Sequence, residues 1–327
     1  MIDFYKINLQ LFANPNTNTL TEDLSNENKL HYDMTLIDEA SPNLIHDQFG
    51  QKRPIPQNGG THINFRKFAS LPKATEPLTE GVTPDGKKLD MSIIEAEVSQ
   101  YGDYVVMSDI LDLAAIDPVV VEATKVIGRQ AGLTLDTITR NALHAGTNVY
   151  YAPKSSGAVV DSRSGLDNTC LLTVDVVRRV AAILKANNAP KIDGSYVAII
   201  HPFAAYDLMS DKEWQYPHQY KDTENIYEGE IGKIAGVRFV ETSEAKIYEN
   251  GVFGTLFLAD GAYGVTEITG GGLQTIIKQK GSAGTADPLD QRSSVGWKAT
   301  KTAEILVEAY LMRVEHKSAF SGDVDAN

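Results

Sequence analysis

The side chains that could do chemistry are few and scattered. Seven histidines stand at positions 31, 46, 62, 144, 201, 218 and 316, none spaced as a metal-ligand set. His201 precedes Pro202 at the end of an apolar run, where a base or ligand could sit, but with no partner in view it reads as a structural histidine. Asp207 and Asp211 are four apart on a predicted helix and share a face, which reads as a solvated edge before it reads as a cation site. Cys170 is the single cysteine, so an intrachain disulfide and a cysteine-based zinc or iron–sulfur site are excluded. Beside Leu171 and Leu172 it reads as a small buried apolar group. The phosphate-cradling GxxxxGK[ST] loop is missing, since Gly232-Lys233 runs into Ile234, and Gly270-Gly271-Gly272 reads as a turn. Neither GxGxxG, a GxSxG elbow nor an HExxH helix occurs. The expectation is no enzyme, no catalytic residue, no cofactor and no metal.

The elements that would position any site come next. At 327 residues with 42% hydrophobic and 22% charged side chains, the chain has material for a core and about two domains. With 30 basic against 43 acidic residues the net charge is −13, which argues against a dedicated nucleic-acid binder and against an anionic membrane as partner. No apolar run reaches membrane-spanning length, and Ile7–Ala13 (INLQLFA) is too short and polar for a signal core. The chain is expected to be intracellular and soluble when made.

Residues 14–34 are rich in Asn, Thr, Asp and Glu and read as an extended arm that cannot bury itself. Ser41-Pro42 opens a mixed segment ending at Gly59-Gly60. Alternation predicts strands over 61–68 and 91–107, joined through Pro72, Pro77, Gly81 and a Pro84-Asp85-Gly86 turn. Such a two-stranded excursion must lie on something. Either it folds back on its own domain or it reaches another subunit, and the length of the connection favours the second.

Asp117-Pro118 then caps a helix whose apolar face is Val120, Ala123, Ile127, Ala131, Leu135, Ile138 and Ala142, ending at Gly146. That predicts about 28 residues, ~42 Å long. Gly128 and Gly132 inside it imply close packing against another backbone. Beyond it the pattern predicts helices over 173–186 and 202–210 and strands over 196–200, 237–240, 252–258, 264–268 and 273–278. The run 295–315 reads as strand, although 303–315 also fits a helix, and 317–327 is a polar, acidic tail.

Three stretches carry a resemblance. Gln100–Leu143 (QYGDYVVMSDILDLAAIDPVVVEATKVIGRQAGLTLDTITRNAL) resembles the signature block of a family of tailed-phage major capsid proteins. Ser294–His316 (SVGWKATKTAEILVEAYLMRVEH) is similar to that family's closing strand, and INLQLFA to the opening of coat proteins of phages infecting Gram-positive hosts. The resemblance implies an α+β capsid fold, shared with herpesvirus capsid floors and encapsulins, and a domain layout. An N-terminal arm would occupy 1–60, an E-loop hairpin 61–107, and a peripheral domain 108–169 with its spine helix at 118–145. A compact α/β axial domain would follow at 170–258, then strands returning to the peripheral domain at 259–316 and the tail at 317–327. It further implies hexamers and pentamers tiling an icosahedral shell around double-stranded DNA, which an acidic protein would contact weakly. A separate scaffolding protein, a portal and decoration proteins would be partners. The chain would be made in the host bacterial cytoplasm and end in the virion. An encapsulin-like nanocompartment shell and an unrecognised α/β hydrolase are the alternatives. Lys87 and Lys88 near the hairpin tip read as solvated charges, because no Asn-plus-Glu environment for a Lys–Asn cross-link can be assigned.

Under this resemblance the candidate subunit-contact residues are Ile63, Phe65, Ile94 and Val98 for apolar burial, with Arg66, Lys67 and Lys73 facing Glu122 or Asp136 of a neighbour. The competing possibility is that the apolar four serve only the intrachain core. Rim ion pairs contribute ~0–1 kcal/mol each, so apolar burial must dominate. Like-charged subunits repel, so assembly is expected to improve from low to moderate salt.

Overall fold

The computed structural model describes residues 36, 39–40, 44–54, 62–68, 71, 73–75, 77, 80–81, 83, 86–89, 91–109, 119–214, 232–266, 273–282, 287–322 and 324–327. Most of the arm, Ser41-Pro42, Gly59-Gly60, Pro84-Asp85, the Asp117-Pro118 cap and Gly270–Gly272 lie outside them. The strands, in chain order, are β1 (Gln51–Arg53), β2 (His62–Phe68), β3 (Met91–Glu97), β4 (Ser99–Ser108), β5 (Val149–Tyr151), β6 (Tyr196–Ile200), β7 (Lys233–Ile234), β8 (Val237–Glu241), β9 (Ile247–Tyr248), β10 (Val252–Leu258), β11 (Tyr263–Thr266), β12 (Leu273–Lys278), β13 (Arg292–Lys301), β14 (Ala303–Ile305) and β15 (Leu311–His316). The helices are α1 (Val119–His144), α2 (Val174–Ala186) and α3 (Pro202–Ser210).

The long helix is the beam the sequence predicts, ~39 Å at the standard rise. Its stripe of Ile127, Ala131 and Leu135 is buried against Met107 of β4, Leu273 of β12 and Val295, Trp297 and Ala299 of β13. Those three strands form one sheet, ordered β12-β13-β4 and antiparallel throughout. Gly128 does what its position implies: a Cβ there would stand 3.0 Å from the Glu39 Cβ and 3.1 Å from the Leu36 carbonyl oxygen. The segment at Leu36 and Ala40 thus lies directly on the helix backbone.

The second unit is a mixed sheet ordered β5-β15-β10-β6-β8-β7, with β9 also paired to β10. One face packs under α2 and α3 through Val177, Val180, Ala204, Leu208, Phe257 and Met312. The opposite face, with Ile199, Leu256, Leu258 and Leu311, meets Leu143 at the end of α1. Helix α2 starts where Thr173 accepts from the Val176 amide, and Asn187 is its C-cap. A small third sheet, β1-β11-β14, bridges the two units.

Two strand expectations are corrected. The run 91–107 is two strands broken at Val98: β3 pairs with β2, while β4 leaves the hairpin for a ten-pair register with β13. Gly102 permits that pairing, because a Cβ there would lie 2.6 Å from the Trp297 carbonyl oxygen. The run 295–315 is neither one strand nor a helix but β13, β14, a 3₁₀ turn at Glu308–Tyr310 and β15. Nor do all closing strands return to the helix-bearing unit. β15 inserts between β5 and β10 in the mixed sheet, because Leu311 faces one apolar cluster while Met312 and Val314 face the other.

The tail is also built in. Phe320 stacks on Phe203 of α3 at 4.6 Å, the Ala319 amide donates to Asp207 Oδ2 (3.2 Å), and the Ile247 amide donates to Asn327 Oδ1 (2.9 Å). Next to it, His316 is fully buried; its Nδ1 donates to the Lys317 carbonyl (2.9 Å), leaving Nε2 to accept from Thr255 Oγ1 (2.8 Å). Burial, chiefly, pushes this imidazole down to about 4 from 6.5. As pH falls from 6.5, the unfolded chain binds a proton that the folded one refuses, so this stability is present above 6.5 and lost toward 4. The loss is about 3 kcal/mol by pH 4. Urea denaturation of the subunit across that range should show it, and His316→Gln should flatten the slope.

Candidate assembly surface

The hairpin has two unlike faces because its side chains alternate about the β2–β3 ladder. Ile63 opposes Ala96 and Phe65 opposes Ile94, and together with Val98 they pack on Leu306 and Val307 of the same chain. Phe65 is fully buried, pressed on Gly264 of β11, where a Cβ would fall 2.3 Å from the ring. Ile63 and Phe65 therefore anchor the hairpin to its own subunit and are not free to meet a neighbour, with Ile94 and Val98 partly buried beside them. On the other face Arg66 opposes Ile93, and Met91 follows; Ile93 is 51% exposed and Met91 46%. Leu89 and Leu71, beyond the paired residues, are exposed as well, as is Lys73. The Lys67 side chain lies outside the described residues.

The expected acidic partners separate. Glu122 is exposed on α1 and pairs with Lys125 at 2.9 Å. Asp136 is fully buried and cannot meet a neighbour's hairpin. It accepts from the His46 amide through Oδ1 (2.7 Å) and contacts His46 Nδ1 through Oδ2 (2.7 Å). One turn along, Thr139 Oγ1 donates to Asp47 Oδ1 (2.6 Å), and Asp47 Oδ2 forms a buried ion pair with Lys301 Nζ at the end of β13. Tyr263 of β11 donates its hydroxyl to the His46 carbonyl. These contacts clamp the segment 45–49 between α1, β11 and β13. Local pattern does not mark the clamp, since Asp136 and Thr139 only lie beside the apolar stripe of α1.

A second open surface lies on the outer face of the β12-β13-β4 sheet. Register puts Ile276, Gly296 and Tyr104 in one row and Lys278, Ser294 and Val106 in the next. Tyr104 is 67% exposed, Val106 51% and Ile276 40%. Because Gly296 has no side chain, Ile276 and Tyr104 flank a shallow groove of about 380 Å³ floored by strand backbone.

The chemical candidates are absorbed by the frame. His201 Nδ1 accepts from the Phe203 amide (3.2 Å) and caps α3, its pKa lowered by burial. Asp207 holds the tail, and Asp211 Oδ2 accepts from the Val174 amide (3.1 Å). Cys170 is buried, and burial raises its thiol. No group of three or more His, Cys, Asp or Glu that could hold a metal occurs among the described residues, and no helix among them is long and apolar enough to cross a membrane.

The sequence model of the phage capsid protein family matches residues 116–271, from the start of α1 to past β11. Against solved structures, the capsid of cyanophage P-SCSP1u aligns at a TM-score of 0.63 with 13% identity, over 84% of this chain and 89% of that one. The chain has the fold of a phage major capsid protein. The capsid of Ralstonia phage GP4 aligns equally well, at a TM-score of 0.63 with 15% identity over 86% and 90% of the two chains. A virus-like particle from Pyrococcus furiosus aligns at 0.52 with 10% identity over 88% and 99%. A search of curated proteins finds no match.

The family match over 116–271 and the solved structures thus agree on a capsid-type fold.

Proposed function

We propose that the chain assembles with copies of itself into the hexamers and pentamers of an icosahedral shell enclosing double-stranded DNA. The single observation that carries this is the two-faced hairpin: one side is locked into its own subunit and the other offers Ile93 and Met91 to solvent. The same chain bears an open sheet face with Tyr104, Val106 and Ile276. Two different exposed apolar surfaces on one chain fit head-to-tail contacts, which close into rings when the rotation allows. The hairpin of one subunit then lies across the sheet face of the next. Arg66 and Lys73 orient it, and apolar burial at ~25 cal/mol per Å² supplies most of the contact. Contacts of that size are individually weak, so a misplaced subunit leaves before the shell closes. The virion is the destination of such a protein, with a scaffolding protein, a portal and decoration proteins as its further partners.

Ile93→Asp tests this directly. The side chain is half exposed, so subunit stability should change by less than about 0.5 kcal/mol. Particle yield by electron microscopy should collapse. Wild-type particle yield from a folded Ile93→Asp subunit would refute the docking.

A further inference from the structure

We propose that the pocket between the 163–166 turn, the β9–β10 corner and the C-terminal tail binds a phosphate group. The pocket encloses about 640 Å³ and is lined by Arg163, Lys246, Tyr248, Asn250 and Lys317 among others, with Glu249 the one acidic side chain among its described lining residues. On a chain of net charge −13 this is a local reversal of sign.

Its cations are incompletely satisfied. Lys317 is 9% exposed, donates to the Asn250 carbonyl, and forms no ion pair among the described residues. Lys246 is engaged by a main-chain oxygen of Asn327 and is not among the unsatisfied cations, but its ammonium lines the pocket and is disfavoured first by burial and then by Arg140. The Arg163 guanidinium lies 3.7 Å above the Tyr248 ring centre. It gives Nε and Nη2 to Glu315 (2.7 and 2.6 Å), which leaves Nη1. Glu315 is shared with Arg313 at 3.0 Å, so the charge behind the pocket is not neutralised either.

A carbonyl gives an ammonium a dipole where an anion would give it a full charge, and charge-assisted hydrogen bonds are about twice as strong. The donors come from three separate places in the chain: the 163–166 turn, the entrance to β9 and the residue after β15. A tetrahedral phosphate presents oxygens in several directions and can meet all three, whereas a planar carboxylate meets two. The phosphate can belong to a nucleic-acid backbone or to a free anion. Arg163 covers the Tyr248 face, so recognition is of the phosphate and not of a base.

The test uses the unassembled full chain, titrated calorimetrically with sodium phosphate at neutral pH and constant ionic strength. A short DNA duplex is followed in parallel by fluorescence anisotropy. Saturable phosphate binding is expected, weakened about tenfold or more by Lys246→Gln and tightened by Glu249→Gln. Lys246 is partly exposed, so this variant keeps the fold where replacing Lys317 could cost it. Duplex binding that phosphate competes away, and that Lys246→Gln weakens in proportion, makes nucleic acid the source. Phosphate binding without such competition makes it the free anion, and either result upholds the site. Absence of saturable phosphate binding, or equal binding by wild type and Lys246→Gln, overturns it. Shell formation by the same variants is scored separately, so a failure of assembly is not read as a failure of this pocket.

Discussion

Asp47→Ala is expected to destabilise the subunit by about 3–5 kcal/mol, a large share of what holds a domain folded. The Lys301 side chain is fully buried and that of Asp47 is 7% exposed, so deletion of the carboxylate leaves an ammonium with neither water nor counter-ion. The loss extends to Thr139, whose hydroxyl donates to the same carboxylate at 2.6 Å. The double variant Asp47→Leu with Lys301→Met removes both charges and should recover most of the loss, since an apolar pair of similar volume often replaces a buried ion pair at little cost. Urea denaturation of unassembled subunits measures both. A loss below about 1 kcal/mol for Asp47→Ala would mean that water reaches Lys301 and that the clamp on segment 45–49 is weak.

Replacement of residues 70–90 by Asn-Gly should leave a folded subunit that forms no closed shells. Every described residue in that stretch is exposed, and the last hairpin pair, Phe68 with Met91, stands just before it. A short Asn-Gly connection suits a hairpin, and the anchoring contacts of Phe65 and Ile63 are untouched. Subunit stability should therefore stay within about 0.5 kcal/mol of wild type. The deletion removes Leu71, Lys73 and Leu89, all exposed and all beyond the anchored ladder. Electron microscopy and light scattering read the outcome, and shells of normal size and yield would show that the hairpin does not couple subunits. Asp47→Ala and the deletion thus probe different things, the rigidity of the frame and the reach of its projection.

The amino-acid sequence by itself determined the local elements of this protein. Helix α2 was legible because Thr173 is a cap and Asn187-Asn188 a stop, and α1 because one apolar stripe runs its length. The resemblance in Gln100–Leu143 and Ser294–His316 supplied the fold expectation that the comparison with solved structures then met. Which strand pairs with which was decided only in three dimensions. Period-2 alternation records that a strand is half-buried, not what covers it, so β4 read as part of the hairpin although it belongs to β13, and β15 read as peripheral although it sits in the mixed sheet. The roles of charged residues were decided there too. Asp136 and Glu122 share a helix and a chemistry, yet one is fixed to His46, 90 positions away, and the other to Lys125 three positions on. Helical periodicity places both, but burial follows from the chain segments that fold across the helix, and those contacts have no local signature.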